Sequence, residues 1–324
     1  MHHVLHEPYG GAGTGLLSGL PWEAGVDVFF VISGFVMVYS SSRLFAAPAG
    51  SLVFLRRRLA RIVPLYWTAT TCFLLVSAVL PSGVNAPSPT LTQILTSYAF
   101  LPWARPDGII QPIYSLGWTL NYEMMFYAVF SVFLFLPRGR AVAAVAVVLG
   151  CVVAAGRVFA PTRPMLVFWS DPIILEFVLG MALALLAVRA VVLPGVARGG
   201  LAIVGMALLA LMPAETMLIP RFLPGAVCLV AAVVLGPDPR MPGIVATAMA
   251  RMGDASYALY LVHPFVLRAV TLVWALLALT SLSAALLSCA AALLLACCVA
   301  VASFTLLEAP VTRSLSVRTI AARP

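Results

Sequence analysis

Apolar runs of bilayer-crossing length recur along this chain, near residues 25–42, 61–80, 114–136, 141–159, 172–189, 199–213, 221–236, 254–278 and 283–307. A helix needs roughly 17–25 apolar residues to cross hydrocarbon. Inside lipid the backbone must satisfy its own hydrogen bonds, which a helix does within one segment. The pattern therefore predicts an all-α polytopic integral membrane helical bundle with nine transmembrane helices, forming a single membrane-embedded domain over residues 1–324. Charged residues are 9% of the chain, against about 25% in a typical soluble domain, so there is little room for a soluble domain. The segment 81–113 is rich in Pro, Ser and Thr and reads as the longest loop, with a short surface or re-entrant helix near 91–102.

Charge orients the bundle. All 19 basic residues are Arg and the net charge is +8. Their clustering in short loops between apolar runs argues against nucleic acid as a partner. One set of alternate loops, with the C-terminus, holds 14 Arg, the opposite set holds 4, and Arg268 lies within a run. Positively charged loops stay in the cytoplasm. The expectation is a multi-pass protein of the bacterial inner membrane, C-terminus cytoplasmic, with Met1–Gly25 and the 81–113 loop outside. An outside N-terminus without a signal segment is unusual, and the expected explanation is a further helix upstream of Met1. The six Cys lie in apolar runs without metal-like spacing and read as small membrane-helix residues. No metal-ligand cluster, Gly-rich phosphate loop or nucleophile elbow is present in the sequence, and no bound cofactor is expected.

The polar residues inside apolar runs are the informative ones, because a carboxylate at a helix centre costs roughly 2.5–3.5 kcal/mol on insertion scales. "GVDVFFVISGFVMVYS" carries Asp27 near its start and Ser33-Gly34 in its middle. Asp27 reads either as a helix-terminal carboxylate or as a functional one. Ser33 and Gly34 favour close helix packing, and Ser33 is also a candidate substrate contact. Glu123 stands within an otherwise apolar run, and Thr119, Glu123 and Tyr127 share one helical face. It is either a functional carboxylate or half of a helix–helix hydrogen bond. Trp118 and Tyr122 suit stacking on a sugar ring or a place in the interfacial aromatic belt. Arg56, Arg57, Arg58 and Arg61 cluster before an apolar run and serve at least as a positive-inside anchor. Ser256, Tyr260 and His263 form a stripe beside Pro264. There His263 is either a satisfied core histidine or part of a pocket with Tyr260. Glu308 is expected to pair with an Arg, either Arg58 or Arg61. His2, His3 and His6 crowd the N-terminus.

Five motifs occur in order: "GVDVFFVISGF", "RRRLARIVPLYW", "GWTLNYEMMFY", "SYALYLVHPF" and "LLEAPV". Together they resemble the membrane acyltransferases of the acyltransferase-3 family, in particular the exopolysaccharide (succinoglycan-type) O-acetyltransferase branch. The resemblance covers nearly the whole chain. It implies ten helices, of which this chain lacks the first. It also implies O-acetyl transfer from cytoplasmic acetyl-CoA to a hydroxyl of an exopolysaccharide or other glycan, free or lipid-linked. On this resemblance the family His falls on His3, ahead of His2 and His6, as the base that activates the acceptor hydroxyl. Asp27 would orient His3, with Glu123 as the further catalytic carboxylate. Arg57, Arg58 and Arg61 would hold the phosphates of the donor, for which guanidinium forks are suited. Ser33, Trp118, Tyr122, Tyr127, Tyr260 and His263 would line the acceptor or acyl pocket. The rival readings are a transporter or flippase with a proton relay of buried Asp, Glu and His, and an inactive, truncated family member.

Overall fold

The computed structural model describes residues 23–79, 89–211, 220–237, 243–277, 282–312 and 314, and the described residues are helical apart from turns, loops and one isolated antiparallel bridge between Ala104 and Ile110. In chain order the helices are α1 (Ala24–Ser40), α2 (Gly50–Val79), α3 (Leu91–Tyr98), α4 (Gly117–Phe133), α5 (Arg138–Phe159), α6 (Pro164–Trp169), α7 (Leu175–Val188), α8 (Gly195–Leu211), α9 (Leu223–Val234), α10 (Gly243–Asp254), α11 (Ser256–Leu277) and α12 (Leu282–Ser303). A 3₁₀ turn, Pro172–Ile174, leads into α7, and a π-helical turn, Phe304–Glu308, follows α12.

Five segments are long and apolar enough to cross a membrane: Gly50–Val79, Arg138–Phe159, Pro164–Val188, Ser256–Trp274 and Leu287–Thr312. Shorter apolar helices are Ala24–Ser40, Gly195–Leu211 and Leu223–Val234. The last has 12 residues, or about 18 Å at 1.5 Å per residue, against a hydrocarbon core of about 30 Å. Apolar runs and helices therefore do not coincide one to one. The largest difference is at α2, which starts at Gly50 rather than near 61, so that Arg56 to Arg61 lie inside the helix. Arginine is a good helix former, and its long stem lets the charged head reach out of apolar surroundings. Neither α6 nor α10 was expected. The short helix expected at 91–102 is present as α3, where Thr90 and Gln93 form a reciprocal capping box.

Apolar surface is exposed along these helices: Val158 is 76% exposed, Val196 90% and Leu276 86%. Such side chains face outward at little cost only in an apolar medium. Helix hydroxyls avoid being orphaned there by bonding back one turn. In α2, Thr68 Oγ1 donates to the Pro64 carbonyl, Thr71 Oγ1 to Trp67 and Ser77 Oγ to Phe73, each at 2.8 Å.

The packing divides into two compact units, one of Glu23–Arg58 and Cys72–Pro239, the other containing Leu59–Thr71 and Arg240–Pro324. In the first unit α1 lies directly on α7. A Cβ on Gly34 would meet the backbone of Phe177, and one on Gly180 would meet the backbone of Val31 and Phe35. Only glycine permits this approach. Asp27 faces Glu176 one turn before the Val31–Gly180 contact, so the two helices run in the same direction. Gly205 of α8 and Gly225 of α9 make a similar contact. The turn after α1 and the start of α2 dock on the end of α4: Ala46 N–H donates to the Leu134 carbonyl (2.9 Å) and Ser51 Oγ to that of Ser131 (2.6 Å). In the second unit, Tyr257 Oη donates to the Ile62 carbonyl (2.7 Å), and Arg61 Nε lies 3.5 Å from Glu308 Oε1.

The glycine contact makes a stability prediction. Gly34→Ala should destabilise the detergent-solubilised protein by about 1–3 kcal/mol, the usual cost of overpacking. Gly150→Ala in α5, where an added Cβ meets nothing within 4 Å, should be neutral or stabilising by up to about 1 kcal/mol through helix propensity. Thermal unfolding of the two variants side by side checks this, and equal midpoints would contradict the tight crossing.

Candidate active site

Glu123 is held by two hydroxyls from opposite sides. Ser33 Oγ of α1 donates to Oε1 at 2.7 Å, and Tyr127 Oη, one turn further along α4, donates to Oε2 at 2.8 Å. Glu123 is 4% exposed, and Ser33 and Tyr127 are buried with it. The expected i, i+4 face is therefore realised between Glu123 and Tyr127. Thr119, on the same face, has its hydroxyl on the Leu116 carbonyl at 3.2 Å. Phe54 packs edge-on to the Tyr127 ring at 5.9 Å. A carboxylate accepting two charge-assisted hydrogen bonds in a dry setting is oriented and strongly held.

Asp27 lies in the first turn of α1, beyond the N-cap residue Glu23, and is buried. Its carboxyl faces that of Glu176 at the start of α7. Glu176 is completely buried and was missed in the sequence. The signal was a lone carboxylate heading the apolar run "LEFVLGMALALLAV", one turn before the glycine that lets α7 touch α1. Asn121 was missed as well. It is buried between Leu120 and Tyr122, and neither amide atom has a hydrogen-bond partner among the described residues.

The aromatic candidates belong to a continuous cluster. Tyr122 is stacked on Phe168 of α6 at 4.0 Å and 14°. Trp118 meets Tyr122 edge-on at 6.0 Å, and Phe30 meets both. Phe177 stacks on Phe126 at 4.4 Å. The Tyr122 ring is buried against protein, whereas Trp118 is half-buried.

The arginines differ among themselves. Arg56 and Arg57 are exposed. Arg58 donates to Ser40 Oγ at 2.7 Å and lies over the Phe54 ring at 5.6 Å. Arg61, one of the two arginines expected to pair with Glu308, lies 3.5 Å from it. In the second unit His263 Nδ1 lies 3.1 Å from the Leu259 carbonyl, an acceptor, so Nδ1 carries the proton. Its ring is 6.2 Å from that of Tyr260, and Ser256 caps back onto Gly253. His2, His3 and His6 lie outside the described residues. Among the described residues no cluster of His, Cys, Asp and Glu has the makings of a metal site.

Comparison with known proteins bears on this arrangement. Residues 1–302 match the acyltransferase-3 family, described as an acyltransferase domain. The exopolysaccharide production protein ExoZ of Rhizobium meliloti (strain 1021) is 36% identical over 258 residues, 76% of this chain and 77% of ExoZ. The acyltransferase MdmB of Streptomyces mycarofaciens is 28% identical over 274 residues, 75% of this chain and 67% of MdmB. No solved structure matches.

The two-donor clasp on Glu123 predicts a mutational pattern. Glu123→Ala strands two buried hydroxyls and should cost about 1–3 kcal/mol of stability. Glu123→Gln should cost less, because an amide still accepts from Ser33 and donates to the Tyr127 oxygen. Melting of the two variants in detergent distinguishes them.

Proposed function

This chain belongs to the acyltransferase-3 family and is an acyltransferase with several helices of membrane-spanning length, and from that premise we propose that it moves an acetyl group from acetyl-CoA to a hydroxyl of an extracytoplasmic glycan. The observation that carries the proposal is Glu123, a buried carboxylate clasped between α1 and α4 by Ser33 and Tyr127. Such a group is costly in a membrane protein, and function is its default explanation. The glycan acceptor draws support from ExoZ, named for exopolysaccharide production. MdmB, named only as an acyltransferase, supports the reaction class.

In the proposed direct transfer, the acceptor oxygen attacks the thioester carbonyl while its proton passes to the imidazole of His3. The C–S bond breaks, and coenzyme A leaves as a thiolate that takes up that proton. Asp27 supports His3, and Glu123 orients the acceptor hydroxyl. Trp118, half-buried, is the aromatic surface best suited to a sugar ring. Tyr122, with one face on Phe168, shapes the wall behind it. Tyr260 and His263 remain candidates for the acyl pocket. The donor is assigned to Arg57 and Arg58: the first is exposed, and the second is already oriented by Ser40 and Phe54. Arg61 remains a third donor candidate, with its Nε 3.5 Å from Glu308. With nine spans in a bacterial inner membrane, the split of 14 Arg to 4 orients the C-terminus and Arg57–Arg58 to the cytoplasm, where acetyl-CoA is found.

The function is tested by the acetyl content of surface polysaccharide in a deletion strain complemented with wild type or Glu123→Gln. Wild type should restore acetylation. Glu123→Gln should not, although it accumulates normally in the membrane. Full restoration by a well-expressed Glu123→Gln protein would sink the assignment.

The donor assignment has its own test. Arg57→Ala and Arg58→Ala should each raise KM for acetyl-CoA. One charge-assisted hydrogen bond is worth roughly 1.5–3 kcal/mol, or about 10- to 150-fold in affinity. Initial rates at varied acetyl-CoA measure this, and an unchanged KM in both variants would leave these arginines as membrane anchors.

A further inference from the structure

Glu176 has an unresolved hydrogen-bond account. It is 0% exposed, and neither carboxyl oxygen has a donor within reach among the described residues. What does lie within hydrogen-bonding reach is the carboxyl of Asp27, itself 7% exposed. Two deprotonated carboxyl groups offer only acceptors to one another. The helices that carry them are held close, because α1 and α7 touch backbone to backbone at Gly34 and Gly180, within two turns of the pair.

Among the described residues, the further groups that act on the pair are acidic. Glu23 acts on Asp27, and Asp171 acts on Glu176. Asp171 is committed to capping the 3₁₀ turn, its Oδ1 accepting from Ile173 N–H at 2.9 Å. From the neighbouring elements, Arg157 at the end of α5 is exposed, and Arg221 before α9 lies over the Phe222 ring at 4.7 Å. Two buried, uncompensated negative charges in contact would be strongly destabilising. One proton between them turns the contact into an acid–carboxylate hydrogen bond, among the strongest of its class.

We infer that Glu176 is a positioning residue for acyl transfer, sharing one hydrogen-bonded proton with Asp27 and so fixing the Asp27 carboxylate in place. The role rests on the reading of Asp27 as support for the base. Glu176, the more deeply buried partner, is the proton's principal holder, and Asp27 keeps the negative charge that a neighbouring imidazolium needs during transfer.

The test compares Glu176→Gln, Glu176→Leu and Asp27→Asn with wild type. Labelled acetyl is followed from acetyl-CoA into the glycan fraction of native-host membranes. A second measurement on the detergent-solubilised proteins records infrared difference spectra of the carboxyl carbonyl stretch. Gln donates permanently to Asp27, so Glu176→Gln should retain most of the transfer. Glu176→Leu removes the donor and should lower kcat by at least about tenfold, the scale of one charge-assisted hydrogen bond, with KM for acetyl-CoA unchanged. The spectrum of wild type minus Glu176→Gln should contain the band of one protonated, buried carboxyl. The inference is overturned if Glu176→Gln is as inactive as Asp27→Asn, if Glu176→Leu matches wild type, or if no such band appears. Should Glu176→Leu fail to accumulate, the Gln variant and the infrared band decide. Full activity of Asp27→Asn with the band intact would overturn the role of Asp27, and with it that of Glu176 in transfer, while the shared proton would stand.

Discussion

The contact of α1 with α7 through Gly34 and Gly180 is the constraint on which the rest of the first unit depends. Because neither glycine carries a Cβ, the carbonyl of Val31 and that of Phe177 lie against the opposite helix. Everything else follows from that register. Ser33, next to Gly34, is turned toward α4 and reaches Glu123. Phe30 and Phe177 meet at 4.9 Å and join the cluster of Phe126, Trp118 and Tyr122. Asp27 and Glu176 are brought face to face at the helix starts. A bulkier residue at either glycine would move all three features together.

The carboxylates in this apolar protein show how a charge is tolerated without water. Each has a different solution. Glu123 takes hydroxyl donors from two helices, Glu308 takes a guanidinium, and Glu176 takes another carboxyl. The Arg61–Glu308 pair joins α2 to the π-helical turn after α12, and π turns often mark places where a helix is bent to function. Only the Glu308 side of this pair is buried, so loss of Arg61 would leave a buried carboxyl without its partner, whereas loss of Glu308 would leave a guanidinium that already reaches the surface. Of the groups assigned to the proposed transfer, Glu123 and Arg58 are held in place by their neighbours.

Much of the architecture was legible in the sequence because hydropathy and helix period are local. The helix at 25–42 was found to within two residues, and the face shared by Glu123 and Tyr127 followed from spacing alone. The match over residues 1–302 agrees with the family resemblance carried by the five motifs. Other features were not local. The start of α2 at Gly50 was hidden by arginines that interrupt the apolar run yet favour helix. Glu176 carried a signal as strong as that of Glu123, but no motif drew attention to it. The burial of Tyr122 against Phe168 depends on α6, a six-residue helix too short to announce itself.

By itself the sequence determined that this chain is helical, apolar enough for a membrane and made of acyltransferase motifs, since each of these is a matter of residue type and spacing along one strand of backbone. Only the tertiary structure decided which polar groups meet. That Ser33 reaches Glu123 from α1, that Arg61 meets Glu308, and that Asp27 confronts Glu176 all depend on how closely one helix approaches another and at what register. Those distances are set by side-chain volume at contacts far apart in the chain, above all by the absent Cβ atoms of Gly34 and Gly180, and no local pattern encodes them.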